Sequence, residues 1–188
     1  MAMTNVYTGA NGILLLSSAG TPPEAADADA LLGEQMYNIF EVGRVTDIEV
    51  CVKTQLSEYH EIGQRHATSL HSGNIHVSGK VGRAYINGAL LFLLLGRGAN
   101  PNNINEPYVQ PALQMQIVLQ DPAVPETRSV LTIESVKFEN WSFSLPEDDF
   151  VMENVTFKAL RARVQDEEAP SPGGARAVKV PQFPEAAT

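Results

Sequence analysis

Two runs of alternating apolar and polar residues in the C-terminal half constrain the fold of this chain most strongly. They are Ser129–Leu145 and Phe150–Val164, joined by the acidic turn Pro146–Asp149. The second run alternates with the period of two that a half-buried strand shows. One of its faces carries Val151, Val155, Phe157 and Ala159, and the other carries Met152, Asn154, Thr156, Lys158 and Leu160. The two runs predict an antiparallel hairpin at the centre of the fold.

The first run changes the parity of its apolar positions twice. The apolar residues are at odd numbers in Leu131 and Ile133, at even numbers in Val136 and Phe138, and at odd numbers again in Trp141, Phe143 and Leu145. A slip of one residue turns every following side chain to the other face, so each change requires an extra residue, a bend or a new partner sheet. A long strand with two such corners is typical of a curled sheet. We therefore predict a mainly β protein, an antiparallel barrel or sandwich with one flanking α-helix.

Composition narrows the class of protein. The chain has 188 residues, the size of a single domain, and 22 acidic against 13 basic residues give it a formal charge of −9. An acidic chain is poorly suited to hold nucleic acid tightly, because that affinity comes from neutralising phosphates with Lys and Arg. Cys51 is the single cysteine, so we expect no internal disulfide and no thiolate metal site. We expect no signal peptide, and the longest apolar run, Ala89–Leu95, is too short to span a bilayer.

The N-terminal half contains two predicted strands. Gly12–Ser17 is short and apolar, and Tyr37–Lys53 alternates, with Asp47 and Glu49 on its acidic face. Glu24–Leu32, between them, is either a loop or one helical turn.

The stretch Thr54–Ser72 shows no sustained period. We interpret it as a long protruding loop or a floppy hairpin, and loops of this length are usually functional. A short strand, Asn74–Lys80, follows it, with Ile75 and Val77 predicted to point inward.

Val81–Gly96 is the predicted helix. It is rich in Leu and Ala and ends at glycines, although the dipeptide Asn87-Gly88 also allows a strand–turn–strand. A helix this apolar must be covered on several sides, in the core or at a subunit interface. The residues expected there are Tyr85, Leu90, Leu91, Leu94 and Leu95.

One more strand precedes the central hairpin. It alternates Leu113, Met115, Ile117 and Leu119 with Gln114, Gln116 and Gln120. We expect the domain to comprise residues 1–164. Residues 165–188 are rich in Pro, Gly, Ala and charge, and are predicted to be flexible or ordered only by a partner.

The sequence contains no recognisable catalytic or metal-binding motif, so we expect no enzymatic activity, no cofactor and no metal site. The four histidines from His60 to His76 lack the spacing of zinc ligands. The acidic residues Glu147, Asp148, Asp149 and Glu153 lack the spacing of a calcium-binding loop, so we interpret them as a solvated acidic turn. Phosphate-loop and nucleophile-elbow motifs are absent. The remaining alternative is a monomeric β-sandwich that binds metal through the histidine-bearing loop.

Three segments resemble bacteriophage tail tube proteins, a family that also includes the type VI secretion tube protein. They are Lys137–Leu160, Gln110–Pro122, and Ser72–Gly79 followed by Arg83–Leu91. The hairpin residues that carry much of the likeness are Trp141, Phe143, Leu145, Phe150 and Phe157. The resemblance covers about half of the chain, in the order and character of its runs.

The resemblance implies a structural protein of the virion tail, assembled in the bacterial host cytoplasm. Its copies would form hexameric rings that stack into a hollow tube, with a sheath and a tape-measure protein as partners in a contractile tail. Double-stranded DNA would pass without specific binding, and the subunit would not insert into a membrane. The alternative within the family is a secretion tube that carries effector proteins.

The resemblance also gives roles to residues. The lumen-facing candidates are Asp47, Glu49, Gln114, Gln116 and Gln120. The candidates for contact with the next ring, in the 54–72 loop, are Tyr59, His60, Arg65 and His66. The helix is expected on the outer side of the barrel, against a neighbouring subunit or the sheath.

Overall fold

The computed structural model describes residues 7–19, 42–96, 110–121 and 127–168, and the backbone of 177–179. A short 3-10 helix, Gly9–Asn11, precedes the first strand. The strands and the helix are, in chain order, β1 Gly12–Ser18, β2 Val45–Tyr59, β3 Ser69–Ala84, α1 Ala89–Leu95, β4 Leu113–Gln120, β5 Arg128–Ser144, β6 Met152–Ala159, β7 Arg161–Glu168 and β8 Ala177–Lys179. No helix in these ranges is long and apolar enough to cross a membrane.

Strand β5 belongs to two antiparallel sheets. Sheet I has the order β1-β4-β5-β7-β8 and uses the N-terminal half of β5, while sheet II has the order β2-β3-β6-β5 and uses Lys137–Ser144. Both predicted parity changes are confirmed. Ser135 takes a left-handed backbone conformation with φ of 55° at the first change, and the pairing with β6 shifts by one residue between Phe138 and Asn140 at the second. The long strand therefore turns from one layer of the molecule into the other.

The segment that pairs with β5 changes direction at the same corner. β6 pairs with the C-terminal half of β5 and β7 with the N-terminal half, and the exposed Leu160 lies between them. The Leu160 amide donates to the carbonyl of Glu134 at 3.1 Å. The central hairpin is thus confirmed, but its second side consists of two strands, β6 and β7, instead of one. β7 also continues through Glu168 and pairs with β8, so residues 165–168 and 177–179 of the stretch predicted to be flexible or ordered only by a partner form strands within the chain, and its other residues lie outside the described ones.

The core lies between the two sheets and is closed by α1. Its fully buried members are contributed by both sheets and the helix; among them are Leu16, Val81, Leu90, Leu93, Met115, Ile133, Val136, Val155 and Phe157. The Phe157 ring packs directly on Gly79, where an added Cβ would lie 2.4 Å from the ring and 2.3 Å from the Glu49 carbonyl oxygen. Gly79 therefore lets the largest aromatic side chain of the core lie flat on β3.

The predicted helix Val81–Gly96 is wrong in its first half. Val81 and Arg83 belong to β3 and pair with Val155 and Glu153 of β6, and α1 starts only at Ala89. The Asn87 side chain accepts a hydrogen bond from the Ala89 amide at 3.3 Å, so Asn-Gly begins a helix here and not a hairpin.

The residues predicted for the helix divide accordingly. Tyr85 lies ahead of the helix and is exposed, while Leu90 is buried and Leu91, Leu94 and Leu95 are half-buried. Leu93, which was not among the predicted interface residues, is fully buried.

The other strand predictions agree in part. β1 and β4 lie where the alternation placed them, and Val77 points inward as predicted. Ile75 lies on the same side of β3 as Val77 but is 65% exposed, so the prediction that it is covered by the core is wrong. β2 begins at Val45, later than predicted, and the loop or turn predicted at Glu24–Leu32 lies outside the described residues.

Candidate assembly surfaces

The outer surface of sheet II carries polar or small side chains, and we call it the polar face. It consists of Asp47, Glu49, Cys51, Ser78, Lys80, Gly82, Lys137, Glu139, Asn140, Ser142, Asn154, Thr156 and Lys158. The register aligns these residues in rows across four strands. One row is Glu49–Lys80–Thr156–Asn140, and the next is Cys51–Ser78–Lys158–Lys137. Side chains on the other side of the same strands form the core.

Four of the six charged side chains on the polar face form two ion pairs. The Lys80 ammonium lies 3.0 Å from an Asp47 carboxylate oxygen, and the Lys158 ammonium lies 2.5 Å from a carboxylate oxygen of Glu139. Glu49 lies directly opposite Lys80, and Lys137 directly opposite Lys158. The face therefore holds three carboxylates and three ammonium groups, and the formal charge of −9 belongs to the rest of the chain.

The predicted lumen residues are divided between the two sheets. Asp47 and Glu49 are exposed on the polar face. Gln114, Gln116 and Gln120 are half-buried on β4, which lies in sheet I between β1 and β5. The structure does not bring the two sets together. Alternation shows which residues share one side of a strand, but not which sheet that strand joins.

Strands β2 and β3 continue beyond the body of the molecule as a two-stranded hairpin, residues 51–76, which we call the arm. β3 pairs with β6 only from Val77 to Ala84, while β2 and β3 stay paired as far as Tyr59 and Ser69. The 54–72 stretch is thus mostly strand, with a turn at 60–68, so of the two predicted alternatives the hairpin is confirmed and the long loop is wrong. Both faces of the arm are exposed, and its register shifts between Thr54 and Leu56, so the apolar residues of its two strands do not keep a single alternation in the sequence.

One side of the arm is apolar and continues the core-facing side of sheet II. Val52 follows Ile48 and Val50 along β2, and Ile75 follows Val77 along β3. A shift in register between Thr54 and Leu56 brings Leu70 onto the same side as Leu56. In the body this side is covered by sheet I, but Val52, Leu56, Leu70 and Ile75 are each more than half exposed.

The four residues predicted to contact a neighbouring ring lie at the tip of the arm. Tyr59 ends β2, and His60, Arg65 and His66 lie in the exposed turn that follows. His60 contacts Glu58 at 3.3 Å, and His71 contacts Ser69 at 3.1 Å. Within the ranges that the model describes, no three His, Cys, Asp or Glu side chains converge as metal ligands.

The opposite end of sheet II exposes a second apolar group, which we call the end patch: Tyr85, Ile86, Phe143, Leu145 and Phe150. It lies where β3 and β5 end and β6 begins. The Tyr85 and Phe143 rings meet edge to face at 5.0 Å, and Phe143 stacks on the half-buried Trp141 at 5.7 Å. Four of the five hairpin residues that carry the family resemblance are therefore at or beside this end, and the fifth, Phe157, is in the core.

A buried ion pair holds the end patch in place, and the sequence analysis missed it. Arg83 Nε donates to Glu153 Oε1 at 2.5 Å, Trp141 Nε1 donates to Glu153 Oε2 at 2.9 Å, and Arg83 Nη2 donates to the Asn87 carbonyl at 3.2 Å. Glu153 is fully buried, so its assignment to a solvated acidic turn is wrong. Its odd number, in phase with Val151 and Val155, was the signal that it points inward.

A cavity of about 650 Å³ opens between the sheets on the side of β1 and β2. Its walls are mainly apolar and include Ile13, Leu14, Ile48, Val50 and Ile117. The described residues that line it include no histidine, cysteine or serine, and the Asp47 carboxylate at its margin is paired with Lys80. The side chains around this cavity form no nucleophile–base arrangement.

Solved structures with this fold come from contractile injection particles. A chain of the sheath-tube complex of an extracellular contractile injection system (PVC) in the extended state aligns with a TM-score of 0.58 at 11% identity, covering 87% of this chain and 94% of that one. A chain of the anti-feeding prophage baseplate aligns with a TM-score of 0.57 at 12% identity, covering 87% and 97%. A chain of the PVC sheath/tube terminator aligns with a TM-score of 0.57 at 10% identity, covering 87% and 99%.

Chains of a sheath-tube complex and of a baseplate thus share the fold of this protein, so the resemblance drawn from the sequence is confirmed at the level of the fold. No protein-family model matches the sequence, and no curated protein matches it. The fold is shared with chains of these particles at 10–12% identity, which is too low to carry over the role of any single residue.

Proposed function

We propose that this chain is the structural subunit of a tail tube, in which hexameric rings stack into a hollow conduit lined by the polar face. The observation that carries the proposal is a four-stranded polar surface with both edges open. Among the described residues, β2 pairs only with β3, and Lys137–Ser144 of β5 makes its main pairing with β6. Exposed edges invite pairing with another chain, and closure of a ring removes them.

The arm and the end patch support stacking of the rings. They lie at opposite ends of sheet II, and each exposes apolar side chains that nothing in the described chain covers. In a head-to-tail stack of identical rings, the arm of one ring meets the end patch of the next. The tip residues Tyr59, His60, Arg65 and His66 then lie at the contact between rings.

The orientation of the subunit in the ring also determines which of its surfaces meets other proteins of the particle. With the polar face turned inward, sheet I and α1, which packs on β5, face outward. We propose that this outer side meets neighbouring subunits and a sheath, which the origin of similar chains in sheath-tube complexes supports. The particle is then a contractile virion tail assembled in the bacterial cytoplasm, with a tape-measure protein inside during assembly and double-stranded DNA passing later.

Electron microscopy of the purified protein tests this function. We expect rings and stacked tubes with a central channel, and a higher protein concentration should lengthen the tubes. A protein that stays monomeric at every salt and protein concentration would contradict the proposal.

The charge balance of the polar face is also compatible with effector proteins as the cargo instead of DNA. The polar face has no net charge, so a secretion-type tube that carries effector proteins would use the same surface. The neighbouring genes discriminate between the two: capsid and tape-measure genes favour DNA, and genes for a secretion ATPase favour effector proteins.

A further inference from the structure

The lysines of the polar face pose a problem for a channel that DNA must traverse. Lys80, Lys137 and Lys158 lie on adjacent strands of one surface, and a ring would repeat them in every subunit. Each ammonium group can bind a phosphate and release a counterion, so a row of free lysines would retain DNA instead of letting it slide. The negative charge of the whole subunit does not remove this local attraction, because exposed charges more than about 10 Å apart are largely screened at ordinary salt concentrations.

The carboxylates on the face are placed where they neutralise those lysines. Asp47 reaches Lys80 at 3.0 Å, and Glu49 lies across from the same lysine in the next register position. The side chain of Asp47 leans over Gly82, where an added Cβ would lie 2.8 Å from its carboxylate, so the lack of a side chain at this position admits the contact.

Glu139 has the corresponding role on the other side of the face. It is the extra residue at the register shift of β5, between Phe138 and Asn140. It contacts Lys158 at 2.5 Å, beside the like-charged Lys137, which lies opposite Lys158. Two directly opposed lysines repel each other, and a carboxylate inserted at the bulge offsets this repulsion.

We propose that Asp47, Glu49 and Glu139 shield the lysines of the polar face and so make the channel wall non-adhesive to duplex DNA. The inference rests on the proposed function, because it assigns the polar face to the channel and DNA to its cargo. The wall is charge-balanced, and the three carboxylates determine whether a polyanion passes or is retained.

The test is DNA binding by dispersed subunits, in which the face is open to solution. The wall variant Asp47→Asn/Glu49→Gln/Glu139→Gln removes three negative charges next to lysines. The matched control, Glu147→Gln/Asp148→Asn/Asp149→Asn, removes three from the exposed turn between β5 and β6, away from the polar face. Fluorescence anisotropy of a short labelled duplex is titrated with each protein at low salt, and circular dichroism checks the fold.

We expect the wall variant to bind at least about tenfold more tightly than wild type, with a log K against log salt slope approaching about −3, one phosphate for each unshielded lysine. The control should bind like wild type. Adding Lys80→Gln, Lys137→Gln and Lys158→Gln to the wall variant should abolish the gain. If a folded wall variant gains no affinity, or the control gains as much, the inference is wrong.

The single variants Asp47→Asn and Glu139→Gln cover the case in which the triple variant fails to fold. Each should give a smaller gain in the same direction, and no gain from either folded variant counts against the shielding role. Because binding is measured on dispersed subunits, its result is independent of tube formation. A failed inference and a failed function are therefore distinguishable.

Discussion

The arm and the body are built from the same two strands, yet only the body buries them. Along β2, Ile48 and Val50 pack against the core, and two residues further Val52 is 56% exposed on the same side. The pairing of β2 with β3 continues through this change, so backbone hydrogen bonds alone do not distinguish the two regions. What changes is the second layer, because sheet I and α1 cover the body and no described residue covers the arm.

The difference indicates where the molecule is complete by itself and where it is not. A lone two-stranded hairpin is only marginally stable in water, and each large apolar side chain left exposed forgoes about 1.5–3 kcal/mol of burial free energy. Among the described residues, the core of the body is covered by two sheets and a helix, whereas the arm has no second layer, which a neighbouring copy would supply under the proposed function. We therefore expect substitutions in the body to change folding and substitutions in the arm to change assembly.

The largest effect is expected from Leu93→Asp in the body. Leu93 is a fully buried residue of α1, and an unpaired carboxylate there destabilises the fold by about 3–5 kcal/mol or more. Chemical denaturation should show a largely unfolded protein. Leu91→Asp and Leu94→Asp, at half-buried positions of the same helix, should be milder, and a stable Leu93→Asp protein would contradict the assignment of α1 to the core.

The next largest effect is expected from Glu153→Ala. It leaves the Arg83 guanidinium buried without its carboxylate and removes the acceptor of Trp141, at a loss of about 3–5 kcal/mol. The free energy of unfolding from denaturant titration measures this loss. Glu147→Ala, in the exposed turn, is the control and should remain within about 0.5 kcal/mol of wild type.

Gly79→Ala should have an intermediate effect. The added methyl group would overlap the Phe157 ring and the Glu49 carbonyl, and overpacking of this kind destabilises by about 1–3 kcal/mol. Gly73→Ala in the arm is the comparison, because its nearest contact would be 3.3 Å from the Gln55 side chain. The melting temperature should fall clearly for the first and little for the second, and equal shifts would remove the distinction between body and arm.

The smallest effect on stability is expected from Leu56→Asp/Leu70→Asp on the apolar side of the arm. Both side chains are exposed, so the free energy of unfolding should change by no more than about 0.5 kcal/mol each. Stacking should nevertheless be lost, with separate rings in place of tubes in electron micrographs. His66→Ala at the tip is the milder control and should leave folding intact. Normal tubes from the double variant would show that this side of the arm is not a contact between rings.

The alternating strands and the corners of β5 were predictable because burial on one side leaves a period of two in the sequence. The arm was predicted only as one of two alternatives, a loop or a hairpin, because the register shift between Thr54 and Leu56 interrupts the period along its strands. The start of α1 was misplaced because Val81 and Arg83 pair with β6, a long-range contact that outweighs local helix propensity. Of the polar face, only Asp47 and Glu49 were predicted. The lysines beside the acidic groups lie on other strands, and only the pairing register brings them together.

The most direct test of the account uses Cys51, the single cysteine, which is exposed on the polar face. Dispersed subunits and intact tubes are each treated with a small maleimide and with a maleimide coupled to a bulky polymer. If the polar face lines the channel, Cys51 in tubes reacts with the small reagent and is protected from the bulky one, while dispersed subunits react with both. Equal labelling of tubes and subunits by the bulky reagent would place this face on the outside and contradict the account.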